Sequence, residues 1–203
     1  MNMSYRKIMA TVLTWTGLLG ATPAPADSLA LWVAQDPGAE LTARVAEFVR
    51  RETGLTVTLR PVAARAENPA ARAEAYATQR RPGEAVIVVL AAVTNPPTMH
   101  LFTFREAGVA LVNVPALATE DRERFARRLE RQVMRGCAFL LGVEPSPDPF
   151  CVLRDYATLD ELDDMGRNFS PPVHDDVQRA AAARGVTAIP DDAERPGAAR
   201  PQP

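Results

Sequence analysis

Few side chains in this sequence are suited to bond-making chemistry, and they all fall from about its midpoint onward. Cys137 and Cys151 are the only cysteines, and His100 and His174 the only histidines. A thiol reacts or binds metal as its thiolate, so it needs a positive neighbour and access to solvent. Arg135 stands two residues before Cys137, and Glu144 follows shortly after. His174 precedes Asp175 and Asp176, a trio that could gather a loosely held cation, but His100 is far away in sequence and no ligand-spaced pair of imidazoles exists. The run "TEDRERFARRLERQVMRGCAFLLG" (119–142) alternates Arg124, Arg127, Arg128 and Arg131 with Glu120, Glu123 and Glu130, which reads as ion pairs on a helix surface.

The elements that must position these groups follow from hydrophobic spacing. "SLALWVA" (28–34) reads as a first strand, and 36–54 as an amphipathic helix with Leu41, Val45, Phe48 and Val49 on one face and Gly54 as its stop. "LTVTLRPV" (55–62) alternates as a second strand, and 68–81 is a polar helix with a proline near its start. "EAVIVVLAAV" (84–93) is a continuous β-branched run, expected of a strand covered on both faces in a parallel sheet. The short link between 99–104 and 108–114 predicts an antiparallel pair, with one strand at an edge. Thr119 then opens the longest helical pattern, with Phe125, Leu129, Val133 and Cys137 spaced by four and Gly142 as the stop. "VEPSPDPFCVL" (143–153) is expected to be a hairpin, "TLDE" (158–161) a capping box, and Ser170 with Pro171 the N-cap and first turn of a last helix. In "DDMGRNFSPP" (163–172), Gly166 is expected to stop one helix and Phe169 to plug the core.

Composition bounds the function. At 203 residues and 47% hydrophobic content, the chain has material for one domain with its own core. A net charge of −2 gives no reason to expect a nucleic-acid partner. Arg6 and Lys7, the uncharged run 8–21 and "APA" (24–26) have the layout of a signal peptide, with cleavage after Ala26. The run is shorter than the ~20 residues that span a bilayer, so no stable membrane span is expected after cleavage. Losing Arg6 and Lys7 moves the charge from −2 to −4, and export to the periplasm or beyond would permit a disulfide between the cysteines. The expected organisation is a signal peptide over 1–26, one domain over 27–189, and a Pro-rich, charged, disordered tail over 190–203.

From residue 84 to about 173 the chain resembles the archaemetzincin family of zinc metallopeptidases. The resemblance rests on the order of strands, long helix and glycine turn, on Gly142 as the glycine of H-E-x-x-H-x-x-G-x-x-H, and on "PDPFCVL" (147–153) as the Cys-bearing segment that follows. It implies a metzincin-like α/β fold: a mixed, mostly parallel sheet with one antiparallel edge strand, a long former active-site helix and a small helical C-terminal part. Laid on Gly142, the zinc histidines would fall on Arg135, Phe139 and Pro145, and the catalytic glutamate on Gly136. Zinc hydrolysis needs neutral imidazoles and a carboxylate to take the proton of the bound water, and none of these four residues supplies either. The family's structural zinc positions would read Ser146, Cys151, Ser170 and Val173, and the residue of its methionine turn Leu153. On the helix wheel Cys137 lies about 200° from Arg135, away from the cleft, as a structural core residue. Arg135 is either a solvated surface arginine or faces the former metal pocket, where it would pair with Glu144 or receive the carboxylate of a bound peptide.

The functional expectation is therefore an exported, catalytically inactive archaemetzincin-like domain without metal or other cofactor, binding an extended peptide or an envelope protein. An active hydrolase of the same family, using residues not recognised above, is the alternative, and a purely structural envelope protein a third.

Overall fold

The computed structural model describes residues 28–186 apart from Ala66; the segment read above as a signal peptide and the charged tail lie outside the described residues. Five strands, β1 (Ser28–Val33), β2 (Val57–Pro61), β3 (Glu84–Ala91), β4 (Leu101–Phe104) and β5 (Val109–Asn113), form one sheet in the order β2-β1-β3-β5-β4. All neighbours are parallel except β4, which pairs antiparallel with β5 at the edge, Phe102 opposite Leu111. The mixed, mostly parallel sheet with one antiparallel edge strand is as expected.

Because side chains alternate along a strand, each face of the sheet carries its own core. Leu29, Leu31, Val86, Val88, Leu90, Ala110 and Val112 point to one face, covered by α1 (Ala39–Thr53), α4 (Arg122–Leu141) and α6 (Pro171–Ala183). Ala30, Trp32, Ile87, Val89 and Leu111 point to the other, covered by α2 (Pro69–Ala77). That double covering is why β3 reads as an unbroken apolar run. Two short helices complete the chain, α3 (Val114–Leu117), which the sequence did not announce, and α5 (Leu159–Asp164). The capping box at Thr158 and Glu161 forms as predicted.

Local chemistry moves some boundaries. α4 begins after Asp121 rather than at Thr119, because the Asp121 carboxylate accepts hydrogen bonds from the N–H groups of Glu123 and Arg124. Residues 143–153 are not a hairpin: Pro145, Pro147 and Pro149 have no N–H to donate to a ladder, and the segment is a loop closed by a Ser146 N–H bond to the Leu153 carbonyl. Ser170 precedes α6, yet its hydroxyl makes no cap bond and its N–H donates to the Cys151 sulfur instead. Gly166 does not end α5, which stops at Met165. Its role is proximity, since a Cβ there would lie 1.6 Å from the Phe150 carbonyl oxygen.

The ion pairs along α4 are only partly at the surface. Arg127 and Glu123 form an exposed pair, but Arg128, Glu130 and Arg131 are buried because α5 and the following loop pack over that side of the helix. Arg128 forks onto Asp163 at 2.8 and 2.6 Å, and Arg131 donates to the carbonyls of Asp163, Met165 and Gly166. Glu130, 1% exposed, receives Arg44 and Arg167. Arg128 and Glu130 are thus matched by opposite charges, and Arg131 by backbone carbonyls.

Candidate functional site

A cleft of about 300 Å³ opens between the edge strand β4 and the helix α4, lined by Met99, His100, Leu101, Thr103, Gln132, Arg135, Phe139 and Tyr156. Gln132, Arg135 and Phe139 reach it from one face of α4, being spaced by three and four residues. The strand supplies backbone. The Asn113 N–H bonds to the His100 carbonyl, which fixes the antiparallel phase so that Phe102 and Phe104 pair inward and the N–H and C=O groups of Leu101 and Thr103 face the free edge. Buried Asn113 also anchors the preceding loop: its amide donates to the carbonyls of Pro97 and Met99 and accepts from the Val93 N–H.

Arg135 is neither a solvated surface residue nor the partner of Glu144. It is 6% exposed, its Nη1 donates to the carbonyls of Val152 and Arg154 at 2.8 and 2.6 Å, and its charge lies over the rings of Tyr156 (4.9 Å) and Phe139 (5.1 Å). Glu144 turns outward and pairs with Arg105 at 2.9 Å. Burial pulls the Arg135 guanidinium below its ordinary value, with the charges of Tyr156 and Asp155 opposing. The Tyr156 hydroxyl receives the Gln132 amide at 2.8 Å and lies 3.0 Å from His100 Nδ1. Burial raises the Tyr156 phenol and, with the Arg128 charge second, lowers the His100 imidazole.

The other positions singled out in the sequence scatter. Gly136 is packed on the sheet, where a Cβ would lie 3.2 Å from that of Ala110 and 3.4 Å from Leu101 Cδ1. Pro145 is exposed beside a second cavity of about 680 Å³, lined also by Gly142, Ser146, Ser170 and Val173. Cys151 adjoins them through its sulfur, which accepts from the Ser170 and Leu153 N–H groups at 3.4 Å. Leu153 and Cys137 are wholly buried in the larger core; both cysteines are free, and burial pushes the Cys137 thiol up to about 12. His174 gathers no metal-ligating cluster with its acidic neighbours, and among the described residues no three His, Cys, Asp or Glu side chains come together as metal ligands.

Zinc does not fit this cleft. It requires neutral nitrogen, thiolate or carboxylate donors, whereas the cleft offers one imidazole, already engaged by Tyr156, beside a permanent cation. Sequence reasoning weighed His100 only as a metal ligand and set it aside, and it missed Gln132 and Tyr156. The spacing of 132, 135 and 139 was a usable signal for Gln132; nothing local marks Tyr156, which arrives from the loop before α5. Among the described residues no helix is long and apolar enough to cross a membrane.

No protein-family profile matches the chain, and no curated protein does either. Solved structures do. Archaemetzincin from Methanopyrus kandleri superposes with a TM-score of 0.65 at 16% identity, over 80% of this chain and 99% of that one. A zinc-dependent peptidase from Methanocorpusculum labreanum gives 0.62 at 14% identity, over 73% and 99%. Archaemetzincin from Archaeoglobus fulgidus, complexed with malonate, gives 0.58 at 12% identity, over 73% and 98%. Nearly the whole of each of these chains is matched, at identities that speak to architecture alone: the chain has an archaemetzincin-like fold.

Proposed function

We propose that this protein is a catalytically inactive, exported relative of the metallopeptidases whose fold it shares, acting as a binding module for extended peptides or for an envelope protein. One observation carries the reading. Beside a free strand edge, where the family resemblance would require zinc imidazoles, α4 presents a clamped guanidinium at Arg135 and an aromatic ring at Phe139. Such a site cannot activate water through a metal, but the outward N–H and C=O groups of Leu101 and Thr103 can add a peptide as a further strand, with cleft side chains selecting alternate residues. His100 and Tyr156 would form the far wall.

The experiment uses the chain starting at Asp27, made without a histidine tag. Elemental mass spectrometry should find far less than one zinc per chain. A short β-branched peptide should shift the amide resonances of Leu101 and Thr103 and emerge uncut. Stoichiometric zinc, or turnover of the peptide, would overturn the reading and favour an active hydrolase.

A further inference from the structure

Among the described residues three buried arginines, Arg72, Arg131 and Arg135, have no carboxylate counter-charge, and Arg135 is the least satisfied of them. Arg128 has Asp163, and Glu130 has Arg44 and Arg167, but among the described residues no carboxylate lies within 4.0 Å of Arg135. Arg131 places Nε and Nη2 on three carbonyls at the end of α5 and the following turn, and Arg72 places both Nη atoms on the carbonyls of Ala92 and Glu67, leaving only its Nε unpartnered. In Arg135 only Nη1 is used: Nε is buried with no partner, and Nη2 bonds to nothing among the described residues. The Nε–Nη2 edge is the side of a guanidinium that receives a carboxylate through two parallel bonds. Next to it, Gln132 is fully buried, and its amide oxygen is likewise unpartnered while its nitrogen is held by Tyr156. Rotating that amide by a half-turn would exchange which atom is left over without satisfying both. A buried cation and a buried amide, both incompletely satisfied and both lining one cleft, are costly unless a ligand completes them.

We infer that the cleft binds a carboxylate of a peptide docked along β4, with Arg135 supplying the charge and the two N–H donors, the free Gln132 amide oxygen accepting a backbone N–H of the same peptide, and the outward groups of Leu101 and Thr103 the strand pairing. The inference rests on the peptide-binding reading above and specifies what the peptide must carry. The carboxylate comes either from the peptide's C-terminus or from an acidic side chain. Phe139, partly exposed and packed on one face of the guanidinium, forms the wall along which it enters.

The test compares three probes by calorimetry on the full chain: an N-acetylated Thr-Val-Thr-Val peptide with a free C-terminus, its C-terminal amide, and an amidated version with one internal Glu. The free acid should bind at least about tenfold tighter than the plain amide. If the Glu-containing amide regains that affinity, the site accepts a side-chain carboxylate; if it does not, the site reads chain ends. Arg135→Gln should erase the difference between acid and amide. Should that variant fail to fold, the Arg135 Nε–H resonance of the wild type, titrated with acetate, reports the same contact. Acid and amide binding equally would refute the carboxylate site while leaving peptide binding intact. No peptide binding, with acetate still shifting Arg135 Nε–H, would refute the strand-docking reading alone; silence in both would refute the two together. Thr103→Pro, which removes an outward N–H without breaking the β5 ladder, should weaken acid and amide alike.

Discussion

Replacing Gly166 with alanine tests how the cleft is held. A Cβ at this position would sit 1.6 Å from the Phe150 carbonyl oxygen and 2.5 Å from its carbon. Because Cβ contacts below about 3.0 Å essentially do not occur, the two backbones must part by roughly 1.4 Å. Phe150 cannot yield freely, since Asp148 stiffens its turn by accepting from the N–H groups of Phe150 and Cys151. The separation therefore falls on the bonds across the seam, Val152 N–H to the Asn168 carbonyl and Arg131 to the Gly166 carbonyl. Each buried group left unpaired costs about 1–3 kcal/mol, so Gly166→Ala should lose roughly 3–5 kcal/mol. For a chain of this size that is a fall in Tm of about 6–20 °C. Gly142→Ala is the comparison: Gly142 has φ +94° with nothing within 4 Å of a Cβ, so only left-handed backbone strain of about 1–2 kcal/mol should appear. Urea unfolding of both variants gives the ordering. A Gly166→Ala loss no larger than that of Gly142→Ala, or within about 0.5 kcal/mol of wild type, would refute the reasoning. The carbonyls of Val152 and Arg154, which clamp Arg135, ride on the same turn, so the variant should also broaden the Arg135 Nε–H resonance.

Three further outcomes are expected. Arg128→Met leaves the Asp163 carboxylate, 18% exposed, with only Arg124 at 3.8 Å and should cost about 2–3 kcal/mol by urea unfolding, while the double variant with Asp163→Leu should recover at least half of that; no recovery would mean the pair is not the cause. Burial holds His100 neutral below its ordinary 6.5, so as pH falls through about 6.5 the unfolded chain binds the extra proton and stability drops. Wild-type Tm should therefore fall further between about pH 7.5 and 5 than that of His100→Gln, and equal falls would count against it. Cys137, its thiol pushed up to about 12 by burial, should resist iodoacetamide in the folded protein at about pH 8 and react once unfolded; labelling of the native state at a free-thiol rate would contradict the burial described.

The sheet and its helices were legible because their signals are local. An unbroken β-branched run announces β3, a period of four announces α4, and Gly54 and Gly142 mark where α1 and α4 turn off. The cleft was less so. Arg128, Glu130 and Arg131 carry the same pattern as the exposed Arg127 and Glu123, and what buries them is a helix whose first residue is Leu159. A guanidinium is stable inside only where distant carbonyls or carboxylates meet it, and no spacing rule along one helix encodes that. Arg135 and Glu144 illustrate the same limit. They are near in sequence and opposite in charge, yet one is held by loop carbonyls and the other by Arg105 in the turn between β4 and β5.

The close seat of α4 on the sheet at Gly136 constrains which sequences lie within reach of this one. A carboxylate side chain added there must first displace Ala110 or Leu101, at a cost of about 1–3 kcal/mol that the better helix propensity offsets only in part. A single substitution that places a glutamate at residue 136 would thus lose stability at that step. The opposite change relieves the contact with Ala110 and Leu101 and carries only the helix-propensity cost of glycine, about 1 kcal/mol. The contact works as a ratchet: the order of substitutions, more than their number, decides which neighbouring sequences still fold.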